Sequence, residues 1–87
     1  MPKLETALAA ILAEARAEVA AGRAPDVPRL EARIESAGRR ARFAGDDPAA
    51  VDELEALARR KLGGIIAVGR ARALLAREPT AGAKPVQ

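Results

Sequence analysis

Apolar residues recur along the chain at steps of three and four, the spacing that places side chains on one face of an α-helix. The first segment with this spacing covers residues 3–21, where Leu, Ile and Val alternate with charged residues and alanine. It stops at Gly22, a residue that favours a helix C-terminus, and Pro25 and Pro28 follow. The pattern therefore predicts a first helix over residues 3–21 and a clear break after it.

A second helix is predicted over residues 27–43. Asp26 precedes it and can accept hydrogen bonds from the first free backbone N–H groups, while Pro28 fits the first turn, where no donor is needed. Leu30 and Ile34 continue the apolar spacing through its middle. We expect this helix to end near Phe43, before the next glycine.

A third, longer helix is predicted over residues 48–77. Asp46 and Asp47 stand directly before Pro48, which is the pattern of a capping carboxylate followed by a proline at the first helical position. Pro79 is expected to end the helix because proline breaks the backbone hydrogen-bond pattern. Residues 79–87 are then predicted to form a disordered tail.

The run Gly63-Gly64-Ile65-Ile66 leaves two interpretations open. Two consecutive glycines cost about 2 kcal/mol relative to alanine inside a helix, and a β-branched run is also compatible with a short strand. We favour the helix because the chain has no second strand candidate to pair with this one. The glycines would then mark a kink or a close crossing between helices.

Together these elements predict an all-α fold, either a three-helix antiparallel bundle or a helical hairpin with a long C-terminal helix, as a single domain over residues 1–78. The third helix has one apolar face from Val51 to Ala73 and an adjacent stripe that includes Leu57 and Val68. An apolar arc this wide is either the core face of a three-helix bundle or a surface for a helix–helix contact with another protein, and the thin total core favours the second interpretation. The candidate partner-binding residues are Leu57, Ile65, Ile66, Val68, Leu74 and Leu75.

Composition narrows the function. The chain has 23 alanines and lacks Cys, His, Trp, Tyr and Asn, so it has no imidazole or thiol for nucleophilic catalysis or transition-metal binding. Its carboxylate clusters, Asp46-Asp47 and Glu53/Glu55, are predicted to lie exposed at the start of the third helix. We therefore expect no enzymatic activity, no catalytic residue, no cofactor and no metal site.

The absence of a basic, uninterrupted apolar leader and of an 18-residue uncharged run predicts a cytoplasmic protein without membrane insertion. Leu, Ile, Val and Phe make up only 19 of 87 residues, so the core must be thin. Such a chain is expected to gain stability from a protein partner or from a second copy of itself.

Two basic clusters offer alternatives to a protein partner. They are candidates for phosphate contact and consist of Arg39, Arg40, Arg42, Arg59 and Arg60. With a net charge of only +3, and without Tyr, Trp or Asn for base stacking or adenine readout, a solvated basic face is the favoured interpretation, and contact with nucleic acid or with an acidic protein partner stays open. A small basic nucleic-acid-associated protein and a self-assembling structural helical dimer stay open as second and third hypotheses.

The stretch Leu12–Gly22, followed by residues 27–34 and by the helix around residues 57–74, resembles the flagellar export chaperones of the FlgN type. The resemblance implies a cytoplasmic helical chaperone that binds the helical ends of hook-junction subunits before export. It also implies that the stripe from Leu57 to Leu75 makes that contact, as in a coiled coil, and that no cofactor is needed.

Overall fold

The computed structural model describes the backbone of residues 3–83 and the side chains of residues 3–76. It contains three α-helices: α1 (Leu4–Ala20), α2 (Val27–Phe43) and α3 (Pro48–Ala83). No strand occurs within residues 3–83, so the alternative of a strand after Gly63 is wrong and α3 is helical through both glycines. The predicted all-α fold with a long C-terminal helix is confirmed.

The first two helices end in the same hydrogen-bonded cap. Gly22 and Gly45 adopt left-handed backbone angles, with φ of 80° and 100°. The next N–H groups then reach back over the last turn: Arg23 donates to the carbonyl of Glu18 at 2.8 Å, and Asp46 donates to the carbonyl of Ala41 at 3.0 Å. Only glycine takes this conformation without a steric penalty, which is why both helices stop where they do.

The starts of α2 and α3 are held by aspartate side chains, as predicted. Asp26 Oδ1 accepts a hydrogen bond from the N–H of Arg29 at 3.3 Å, and Asp47 Oδ2 accepts one from the N–H of Ala50 at 3.2 Å. Each bond satisfies one of the N–H groups that a helix leaves free at its N-terminus.

The prediction that Pro79 ends the third helix is wrong, because α3 continues to Ala83. Proline lacks an N–H and its ring crowds the carbonyl four residues earlier, so the carbonyl of Leu75 loses its helical hydrogen bond, but the residues after Pro79 can resume the pattern. Ala81 and Ala83 favour that continuation, whereas Thr80 and Gly82 do not. The predicted tail is thus helical over 79–83, and its last residues, 84–87, lie outside the described part of the chain.

The helices run up, down and up. Glu14 of α1 contacts Arg29 and Arg33 in the first half of α2, and Arg42 at the end of α2 contacts Asp52 near the start of α3. Consecutive helices are therefore antiparallel, while α1 and α3 run parallel to each other. The core between them is small and consists of Leu4, Leu8, Ile11, Leu12, Ala15, Leu30, Ile34, Ala37, Val51, Ala58 and Leu62.

The last part of α3 projects beyond the other two helices. Val19, in the last turn of α1, packs over Gly69, where an added Cβ would lie 3.0 Å from Val19 Cγ2. Residues 70–83 follow this crossing and extend α3 by about 20 Å at 1.5 Å per residue. The elongated shape, 65 × 20 × 17 Å, reflects this projection.

The close helix crossings occur at glycines other than the predicted ones. A Cβ added at Gly63 or Gly64 would meet nothing within 4 Å, whereas one added at Gly69 or Gly38 would meet a neighbouring helix. The expectation that the Gly63-Gly64 pair marks a close crossing within the chain is therefore wrong. Both glycines instead lie on the exposed side of α3.

Candidate functional site

The six predicted partner-binding residues divide into two groups. Ile65 and Ile66 are half-buried and pack against the core, so they support the bundle itself. The remaining four are exposed: Leu57 by 39%, Val68 by 50%, Leu74 by 56% and Leu75 by 64%. Leu74 lies about 100° around the helix from Leu75, so it extends the exposed apolar surface onto another side of α3.

Three of the exposed side chains belong to a row that we call the outer stripe. Its members follow one another at steps of four and three, the spacing of a seam between paired helices; they are Leu57, Lys61, Gly64, Val68, Ala71 and Leu75. At its start the stripe borders a shallow groove between α1 and α3, whose lining includes Leu57 and Ala9. The outer stripe is thus a second helix-pairing surface, next to the one that faces the core.

The part of α3 that carries most of this surface is apolar nearly all the way round. Between Leu62 and Ala76 the only charged residues are Arg70 and Arg72. A helix with apolar residues on all sides is normally buried on all sides. In this chain α1 and α2 cover one side only, and the other side faces solvent.

A cleft of about 620 Å³, which we call the loop cleft, lies where α3 passes the connection between α1 and α2. Its apolar lining comes from both sides and includes Val19, Pro25 and Val27 opposite Ile66, Gly69, Ala73 and Ala76. Arg23, Arg70 and Arg72 also line it. The cleft therefore combines an apolar floor with positive charge at its edges.

The three cleft arginines differ in their partners. Arg23 Nε donates to Glu18 Oε1 at 2.6 Å, and this hydrogen bond raises the pKa of Arg23. Arg70 and Arg72 are exposed and form no ion pair with any side chain among residues 3–76. Among the side chains of residues 3–76, these two guanidinium groups of the cleft have no carboxylate partner.

Three of the five arginines considered for phosphate contact are engaged by carboxylates. Arg42 contacts Asp52 and Glu55. Its hydrogen bonds to these two carboxylates raise the pKa of Arg42, and the bond to Asp52 has the larger effect. Arg59 lies 3.7 Å from Glu55, and Arg39 lies 3.7 Å from Glu35. The other two, Arg40 and Arg60, are on different helices and have no ion pair among the described side chains.

Glu55 is placed differently from the prediction of an exposed carboxylate at a helix start. It is only 7% exposed, and its carboxylate lies against Gly38 of α2, where an added Cβ would come within 1.5 Å of Glu55 Oε2. Arg42 donates to Glu55 Oε2 at 3.3 Å and to Oε1 at 3.4 Å. A glycine in the middle of α2, four residues before Arg42, was the signal in the sequence that this site existed.

Other features of the described residues add no chemistry. No group of three or more acidic side chains among them could hold a metal ion, and none of the described helices is long and apolar enough to cross a membrane. Phe43 at the end of α2 is 96% exposed, as a single apolar side chain rather than part of a patch.

No protein-family model matches the chain, and no match to it was found among curated proteins or solved structures.

Proposed function

We propose that this protein is a non-enzymatic helical adaptor or chaperone that binds an amphipathic helix of another protein along the outer stripe of α3. The observation that carries the proposal is the exposure of Leu57, Val68 and Leu75 in one row at helix-pairing spacing. An amphipathic helix placed beside this row would insert its own apolar side chains between them, as in helix-in-groove recognition.

The dimensions of the outer stripe suit a partner helix of about five turns. From Leu57 to Leu75 the stripe extends for about 27 Å along α3. Gly64 and Ala71 lie within the stripe, and because their side chains are absent or small, the backbone of a partner helix can approach closely. A Cβ added at Gly64 would have no neighbouring atom within 4 Å, so the space beside this glycine is open.

The apolar contribution of the stripe predicts reversible binding. Burying a Leu or Val side chain completely contributes about 1.5–3 kcal/mol, so covering the exposed part of Leu57, Val68 and Leu75 contributes about 3–4 kcal/mol in total. Since association itself costs several kcal/mol, these three side chains are not sufficient alone, and the apolar side chains that the partner buries must supply most of the affinity. A client held this way would be released readily, as a chaperone that transfers its client requires.

The resemblance to flagellar export chaperones suggests the kind of client, namely the helical end of a hook-junction subunit. We therefore propose the purified hook-junction subunits as the first partners to test. The cytoplasm is the compartment in which such a chaperone would meet its clients before export.

The test uses site-specific photo-crosslinking. A photoreactive amino acid is placed at Val68 on the outer stripe, and at Ala10 on the exposed side of α1 as a control. We expect a crosslinked adduct with the client from position 68 and none from position 10. Leu75→Asp should abolish the adduct without changing the helix content measured by circular dichroism. An adduct of equal yield from both positions would contradict the proposal.

A nucleic-acid function has less support in the geometry. Arg42 and Arg59 converge on Glu55 rather than on a free surface, and Arg39 lies beside Glu35. Carboxylates beside three of the five candidate arginines offset the positive charge that would attract phosphate, so these residues do not form a purely basic surface.

A further inference from the structure

The charged residues of α3 along its exposed apolar surface are all positive. Residues 56–77 contain six basic residues, Arg59, Arg60, Lys61, Arg70, Arg72 and Arg77, and no acidic residue. The acidic residues of α3 all precede this segment apart from Glu78, which directly follows it. Whatever covers the apolar surface here must therefore lie close to several positive charges.

The loop cleft concentrates this charge around an apolar floor. Gly69, Ala73 and Ala76 form the row of α3 that faces the cleft. Arg70 and Arg72 are two residues apart, which places them about 200° apart around the helix, one on each side of that row. Both guanidinium groups lack an ion pair among residues 3–76, so two positive charges flank the cleft without a partner from the described part of the chain.

From this arrangement we infer that the loop cleft binds an acidic amphipathic helix, whose apolar side chains enter between Val19, Ile66 and Ala73 and whose carboxylates pair with Arg70 and Arg72. The inference goes beyond the function proposed above, because the row of α3 that faces the cleft is not the outer stripe, and it specifies the chemistry of the partner. Arginine suits this role because its planar guanidinium can donate two parallel hydrogen bonds to one carboxylate.

The same charges argue against the other surfaces that could cover the cleft. A second copy paired symmetrically through this cleft would bring its own Arg70 and Arg72 toward those of the first, and like charges facing each other across an interface are unfavourable. An anionic lipid surface favours a helix whose basic residues lie on one side and whose apolar residues lie on the other. Here Arg60, Arg70 and Arg72 are spread around α3 instead.

The inference is tested with two designed peptides that share an apolar face of Leu and Ala. One carries Glu at the positions flanking that face, and the other carries Lys at the same positions. Each peptide is fluorescently labelled and titrated with the full-length protein by fluorescence anisotropy at low salt. We expect saturable binding of the Glu peptide below about 1 mM and binding of the Lys peptide at least about tenfold weaker.

Charge-reversal variants locate the contact. In Arg70→Glu/Arg72→Glu the preference should invert, with the Glu peptide losing about tenfold in affinity and the Lys peptide gaining a similar factor. The control Arg39→Glu/Arg40→Glu makes the same change in net charge at the far end of α2 and should leave the preference as it is. Helix content is measured for each variant to show that the fold is retained.

Several results would overturn the inference. Equal binding of the Glu and Lys peptides, no saturable binding of the Glu peptide, or the same loss in both double variants would each exclude an acidic site at the cleft. Concentration-dependent dimerisation that changes in the Arg70→Glu/Arg72→Glu variant would also exclude it. The same holds if the protein binds anionic phospholipid vesicles or duplex DNA more tightly than the Glu peptide.

The helix-binding proposal fails separately from this inference. If Val68→Asp abolishes peptide binding while the Arg70→Glu/Arg72→Glu variant binds both peptides as the wild type does, the outer stripe is the site and the acidic cleft is wrong. If the reverse holds, the cleft binds the peptide and the outer stripe does not. If neither variant changes binding, both proposals are wrong.

Discussion

Replacing Gly38 by alanine is expected to destabilise the protein, although alanine is the better helix former. In the folded chain a Cβ at this position would lie 1.5 Å from Glu55 Oε2 and 2.6 Å from Glu55 Cδ. Neither distance is possible for non-bonded atoms. The Glu55 carboxylate, which is the end of a flexible side chain, must therefore move away from α2, and this displacement disturbs its buried position and its hydrogen bonds with Arg42.

The size of the expected change in unfolding free energy follows from two opposing effects. Alanine in a helix interior is favoured over glycine by about 1 kcal/mol. Forcing an extra carbon into a packed site costs about 1–3 kcal/mol. We expect Gly38→Ala to lower the free energy of unfolding by about 1 kcal/mol, which corresponds to a decrease in Tm of about 4–8 °C for a domain of this size.

Gly63→Ala is the matched control, because it makes the same chemical change in the middle of another helix. A Cβ at position 63 meets nothing within 4 Å, so only the helix propensity changes. This variant should be more stable than the wild type by about 1 kcal/mol. The two glycine substitutions are therefore expected to differ by about 2 kcal/mol in urea unfolding followed by circular dichroism.

Combining Gly38→Ala with Glu55→Ala identifies the cause. With the carboxylate removed, alanine at position 38 has room, and its effect should change from destabilising to neutral or stabilising. The reasoning is refuted if Gly38→Ala and Gly63→Ala have equal effects on the free energy of unfolding, or if Gly38→Ala destabilises equally with and without the Glu55 side chain.

Two further predictions concern the core and pH. Ile34→Val removes one methylene from a side chain with 0% exposure and should cost about 0.5–1.5 kcal/mol in urea unfolding, whereas Val68→Ala at an exposed position should change stability by less than about 0.5 kcal/mol. A hydrogen bond and the charge of Arg33, with a smaller contribution from Arg29, lower the pKa of Glu14 in the folded protein. The ionised carboxylate therefore stabilises the fold at pH values above the ordinary glutamate pKa. This stabilisation is lost as the pH falls through the lowered pKa of the folded state. The difference in unfolding free energy between wild type and Glu14→Gln should therefore shrink on acidification from about pH 6 to about pH 3, and a difference independent of pH would contradict the assignment.

The sequence was sufficient for features that depend on neighbouring residues. A helix cap is a local structure, formed by one side chain and the three or four residues beside it, so Asp26, Asp47 and Gly22 could be assigned from their positions alone. The same holds for the exposed row of large residues on α3, since helical spacing determines which side chains share a side of the helix.

Features that depend on contacts between helices could not be predicted in this way. The burial of Glu55 results from a glycine 17 positions earlier on another helix, and the half-burial of Ile65 and Ile66 results from how far α1 extends along α3. Spacing alone could place both isoleucines near an apolar surface but could not say whether the chain itself would cover them. The end of α3 could not be placed from Pro79 alone, because a proline disfavours a helix at its own position without determining where the helix ends.

Gly63 and Gly64 connect the stability of the fold with the proposed function. Together they cost α3 about 2 kcal/mol relative to alanine, a large amount for a domain with a core this small. Gly38 and Gly69 make room for a neighbouring helix, but Gly63 and Gly64 contact nothing in the described chain. Only Gly64 lies in the outer stripe, where it leaves a gap between Lys61 and Val68, whereas Gly63 lies about 100° away on another exposed side of α3. The gap at Gly64 gains nothing for the isolated chain, but it allows the backbone of a partner helix to come close, so the proposed binding would recover the stability that this glycine costs.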